Sequence, residues 1–152
     1  MIDILNTTQL SEIIKKLDQS TQPLWGKMSP QHAIEHLAMT IKISTGKIIV
    51  KRYTTLEEAE AIKAKLIYSP IEIPKGVKNP LLTDELAALE HKDMDTAVKE
   101  LLNEVNYFKE YYSNNPEVLH TQPRMGDLTH NEWFTFHNKH FTHHFKQFGV
   151  SN

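Results

Sequence analysis

HNEWFTFHNKHFTHHFKQFG, His130 to Gly149, decides the fold class. Thr129 before it and Glu132 within it form a capping box, the mark of a helix start. Trp133, Phe134, Phe141, Phe145 and Phe148 recur at helical spacing and give the helix an apolar side. Gly149 closes it. The helix expected from about Thr129 to Phe148 is roughly 30 Å long, enough to span a small domain.

The same stretch carries a histidine pattern. Each helical residue turns by about 100°, so residues four apart share a face. His140 and His144 therefore point the same way, one turn apart, at the margin of the apolar side. Two imidazoles so spaced can meet one metal ion, as in HExxH helices. His137 falls near this face, while His143 points about a quarter-turn away, toward the polar side. Against this stands a plain alternative: one HxxxH arises by chance in a histidine-rich tail, and surface histidines need no function. Two imidazoles seldom suffice for a metal, so a third ligand should come from another helix. His32 and His36 lie one turn apart on one stripe of the second helix, and the spacing does not choose between them.

Working outward, the pattern predicts an all-α fold of four main helices. The first is expected from about Thr7 to Ser20, with Asn6 and Gln9 at its cap and Leu10, Ile13, Ile14 and Leu17 as its stripe. The second starts at Ser29, with Pro30 at the first helical position, and runs to about Thr45, with Gly46 at its end. Ile34, Leu37, Ala38 and Ile41 form its main stripe. A shorter helix is expected from about Thr55 to Tyr68, with Thr55 and Glu58 as its capping box. The prolines of SPIEIPKGVKNP forbid a helix there, so this stretch reads as an extended surface crossover. The third main helix is expected from about Asp93 to Ser113. The predicted core is Ile34, Leu37, Ile41, Leu101, Leu102, Val105, Phe108, Phe141 and Phe145. Strand signals are weak, with IIVKRY (Ile48 to Tyr53) the only β-branched run.

Composition bounds the function. The 152 residues suit a single domain over the whole chain, 39% hydrophobic and 24% charged. With no cysteine there is no disulfide framework, and no protein thiol to act as nucleophile or ligand. The net charge is −2 and the 17 basic residues are scattered, which argues against nucleic-acid binding. No apolar run approaches a membrane span, and the N-terminus lacks a signal-peptide pattern, so cytoplasm is the expected compartment. His91, His120 and His130 read as solvated loop or cap residues. Trp25 and Trp133 read as packing, and Glu57, Glu58 and Glu60 as a solvated helix face.

Two blocks, PLWGKMSPQHAIEHLAMT (Pro23 to Thr40) and MGDLTHNEWFTFHNKHFTHHFKQFG (Met125 to Gly149), carry a resemblance to the DinB/YfiT-like superfamily of metal-dependent bundles. The crossover IPKGVKNP adds to it, and the second block is the more specific. The resemblance implies a four-helix bundle with a long crossover before the third main helix. It also implies a triad of one histidine on the second helix, followed by leucine, with an HxxxH pair on the fourth. By motif these are His36, in the EHL of Glu35 to Leu37, His140 and His144, which leaves His32 a neighbour. One departure is Gln122, where relatives often carry histidine just before the proline found here at Pro123.

Characterised relatives include transferases and isomerases that use a low-molecular-weight thiol. The resemblance therefore implies a divalent metal cofactor, with zinc or nickel suiting imidazole ligands and a thiol, a small-molecule substrate, and a homodimer. Hydrolysis ranks lower, because no carboxylate stands out as general base. Two other classes remain: a non-catalytic bundle that binds metal or a small ligand, and a structural protein whose histidines are incidental.

Overall fold

A computed structural model describes residues 1–77 and 85–151. The molecule is mostly helical, with five helices and one two-stranded sheet among the described residues. In chain order these are α1 (Thr7–Ile14), α2 (Pro30–Ser44), α3 (Leu56–Leu66), α4 (Met94–Asn114), β1 (His120–Gln122), β2 (Gly126–Leu128) and α5 (His130–Gln147). Lys78, Asn79 and Pro80, the end of the expected crossover, lie outside the described residues.

Local chemistry sets the helix starts. Ser29, Thr55 and Thr129 each accept a hydrogen bond from the third helical amide, and the side chains of His32, Glu58 and Glu132 in turn accept one from the cap amide. These reciprocal bonds satisfy donors that a helix start otherwise leaves unpaired. The helix expected to reach Ser20 ends at Ile14. Beyond it the chain tightens, with Lys16 and Leu17 amides donating to Ile13 and Ile14 carbonyls. Asp18 then takes the Ser20 amide and hydroxyl, while the Thr21 hydroxyl takes the Asp18 amide. Such short polar side chains compete with the helix for backbone groups. The shorter helix is also trimmed, ending at Leu66 instead of Tyr68.

The purely helical expectation needs one correction. A hairpin pairs β1 with β2 antiparallel, His120 opposite Leu128 and Gln122 opposite Gly126. It forms in the segment before α5, not in IIVKRY, which is irregular. The Gln122 side-chain oxygen accepts from the amides of Arg124 (2.6 Å) and Met125 (2.8 Å), closing the turn. The Thr54 hydroxyl and the Tyr53 amide donate to carbonyls of the same turn.

α2 is the central element, packing most extensively on α4 and also against α5 and β1. Its core-facing residues Ile34, Leu37 and Ile41 are fully buried, with Leu101, Val105 and Phe108 of α4 and Phe141 and Phe145 of α5. Leu102, expected with them, is partly buried at the edge of this core. Lys42 of α2 pairs with Glu100 of α4, and Lys47, just beyond the end of α2, pairs with Glu104 (2.9 Å). The N-terminal segment is tied to α5, the Ile2 amide donating to Thr142 Oγ1 and the Ile4 amide to Asn138 Oδ1. No helix among the described residues is long and apolar enough to cross a membrane.

Candidate metal centre

The pairing of α2 with α5 brings three imidazoles together. His36 Nε2 lies 3.0 Å from His140 Nε2, which lies 3.1 Å from His144 Nε2. The ring centroids form a near-equilateral triangle with sides of 4.9, 5.0 and 4.8 Å. His140 and His144 are buried and His36 partly so. Helical spacing fixes the first two, while His36 arrives from more than a hundred residues away.

Burial sets the protonation of this group. Desolvation, reinforced by the neighbouring His143, pushes His36 down to about 4. Desolvation and then His36 push His144 down to about 3. His140 falls well below the ordinary range, through desolvation first and the charges of its neighbours second. All three imidazoles are neutral at pH 7, the form that binds metal.

The tautomer of His144 follows from its neighbours. The Gln147 amide nitrogen donates to the Trp25 carbonyl (2.9 Å), which turns its oxygen toward His144 Nδ1 (2.9 Å). Nδ1 therefore carries the proton and donates, leaving the Nε2 lone pair facing the other rings. Gly26 leaves room for this amide, because a Cβ there would stand 3.0 Å from Gln147 Nε2.

These residues fit a divalent ion. A neutral imidazole nitrogen offers one donor or one lone pair, so His140 Nε2 cannot bond well to both neighbours at once. A single cation accepts all three lone pairs. Tetrahedral ligation at about 2.05 Å sets nitrogens about 3.3 Å apart, close to the separations seen here. The group can thus hold a metal ion.

Other expected residues take other roles. His32 uses both nitrogens, Nδ1 toward Ser29 and Nε2 donating to the Ala87 carbonyl (3.1 Å), so it serves the α2 cap. His137 is fully buried, stacked on Trp133, and donates from Nε2 to Ser44 Oγ (2.8 Å), whose own hydrogen goes to the Ile41 carbonyl. His143 is partly buried and bonds the Ile73 carbonyl through Nδ1 (3.1 Å), outside the triad as its angle predicted. Glu35 accepts from the amides of Glu90 (2.9 Å) and His91 (3.0 Å), and Glu132 from its cap amide (2.8 Å).

Three histidines expected to be solvated are instead engaged. His120 bonds the Tyr111 hydroxyl (2.8 Å), His130 stacks on Tyr112, and His91 pairs with Glu100. Trp133 is core, while Trp25 is partly buried against the edge of His143. Glu90, His91 and Glu100 form a second group of possible ligands. There the Lys42 ammonium already neutralises Glu100, and Glu90 is exposed, so the arrangement is an ion-pair network.

Comparison of the chain with protein-family models, with curated proteins and with solved structures returns no match. Fold and site together define a mostly helical protein with a three-histidine group able to hold a metal ion.

Proposed function

We propose that the chain is a DinB/YfiT-like four-helix bundle, built of α1, α2, α4 and α5 with α3 as an insertion. In this reading His36, His140 and His144 bind one divalent ion, zinc or nickel. The protein transfers a low-molecular-weight thiol to a small electrophile, and acts as a homodimer. The convergence of three Nε2 atoms at 3.0 and 3.1 Å carries the reading.

His36, His140 and His144 would hold the ion through neutral imidazole nitrogens, and the ion would supply a site that acidifies a bound thiol. The chain's own residues keep that site free of protein ligands. There is no cysteine to close the shell. The nearest carboxylates in sequence, Glu35 and Glu132, are committed to backbone amides. Burial keeps the imidazoles unprotonated, and Phe136, stacked on His140 at 5.1 Å, covers one side of that ring with hydrocarbon. The thiol must be a cosubstrate.

The test has two parts. Metal-stripped protein titrated with Zn²⁺ or Ni²⁺ should take up one equivalent, lost in His140→Ala and His144→Ala and kept in His143→Ala. Equal loss in His143→Ala would refute the ligand set. Metal-loaded protein given a thiol and an electrophilic acceptor should turn over, and His140→Ala should not. Stoichiometric binding with no turnover for any thiol would replace the transferase by a metal-binding module.

A further inference from the structure

Around the helix from the triad, α5 borders a recess of about 390 Å³, its open mouth included. Trp25 and Ile73 supply its apolar surface, and Lys75, Lys139 and Lys146 its charge. Lys75 Nζ stands 4.2 Å from the centroid of the Trp25 ring. Lys139 is only 5% exposed. Its ammonium donates to the carbonyls of Ser69 (2.7 Å) and Ile71 (2.8 Å), and its third N–H has no protein partner among the described residues. Two neutral carbonyls do not cancel a buried charge, and desolvation pushes this lysine below its ordinary range.

One carboxylate lines the recess against these three cations, that of Glu72. It bonds Lys146 (2.7 Å), and its side chain is 63% exposed. The recess is thus cationic on a chain whose net charge is −2.

We infer that this recess binds a small organic anion, its carboxylate or phosphate head among Lys75, Lys139 and Lys146 and a short apolar body against Trp25 and Ile73. The Glu72 carboxylate occupies Lys146 in the way the ligand's head would, and competes with it. Binding there does not depend on a metal at the triad, although the His143 ring that borders the recess lies 5.2 Å from that of His144.

Phenylacetate, phenyl phosphate and inorganic phosphate, titrated by calorimetry into metal-stripped protein, test this. Both aryl anions should bind saturably, and inorganic phosphate at least tenfold more weakly. Lys75→Gln, at an exposed position where folding is safe, should weaken the aryl anions about fivefold or more. Lys139→Met should weaken them further, and Glu72→Gln should tighten them severalfold. His140→Ala should bind them as the parent does, which separates this site from the metal proposal. No saturable binding of either aryl anion would overturn the inference, as would affinities unmoved by both Lys75→Gln and Glu72→Gln. Loss of binding in His140→Ala would overturn its independence from the triad. Equal affinity for inorganic phosphate would overturn the role given to Trp25 and Ile73.

Discussion

Gln147 is a positioning residue for His144: held at the Trp25 carbonyl, it presents an acceptor to Nδ1 and so exposes the Nε2 lone pair. Partners of this kind typically carry 10- to 100-fold in metal affinity. Gln147→Leu should therefore weaken Zn²⁺ binding by about that factor, read by competition with a chromogenic chelator, and Gln147→Glu should recover it. Affinity unchanged in Gln147→Leu would mean that the amide only packs. His137 makes a different prediction. Desolvation holds its folded pKa down to about 3, against about 6.5 in an unfolded chain. The unfolded chain thus binds the proton first, and stability is full above pH 6.5 and falls as pH drops toward 3. At pH 4 the loss from this one residue is about 3 kcal/mol. Urea midpoints measured from pH 7 to 4 should fall less steeply in His137→Phe than in the parent. Parallel curves would show that His137 does not carry the acid sensitivity.

At the scale of elements, α5 depends on its first turn, where Thr129 and Glu132 bond reciprocally across the cap. Thr129→Ala should cost about 1 kcal/mol in urea unfolding while leaving metal stoichiometry at one, because His140 and His144 lie about three and four turns further on. A loss below about 0.3 kcal/mol would place the stability of α5 in its packing alone. That cap was plain in the sequence, as were those at Ser29 and Thr55, because capping is local: four consecutive residues contain the whole signal. The apolar period was equally plain and correctly assigned Ile41, Val105 and Phe141 to the core. The hairpin was hidden because its causes are distant. Its turn is closed by the Gln122 side chain and held by Tyr53 and Thr54, and the Trp133 indole donates to the His120 carbonyl (3.1 Å). The pair His140 and His144 was legible from a four-residue spacing. Spacing alone did not choose between His36 and His32; the EHL motif of the resemblance pointed to His36, and in the structure His32 is engaged instead by the Ser29 cap and the Ala87 carbonyl. Lys139 and Gln147, buried polar residues in an otherwise ordinary amphipathic helix, gave no sequence signal at all.

For the whole molecule, the triad joins two helices that are otherwise held by packing and by the bond from His137 to Ser44. His36 belongs to α2, which packs on α4, and His140 and His144 belong to α5, which is also bound to the N-terminal segment. An ion gripped by both helices would be held only when the two are docked, so on the proposed reading metal would favour the folded state over the unfolded one. Stabilisation then follows mass action: free metal at a hundredfold excess over the dissociation constant adds about 2.7 kcal/mol. The same ion removes the unfavourable approach of three buried lone pairs, so metal-free protein should be the less stable form at every pH where the imidazoles are neutral. Chemical denaturation with Zn²⁺ present and with a chelator in its place should differ by about that amount at pH 7.5. The difference should persist as pH falls through about 6.5, where protons occupy the histidines of the unfolded chain equally in both conditions, and shrink only toward about pH 4, where protons begin to compete for His36 and then for His144. His140→Ala should show no difference between the two conditions. A metal-induced gain of the same size in His140→Ala would mean that the ion acts elsewhere, and the triad would then be a packed histidine cluster and nothing more.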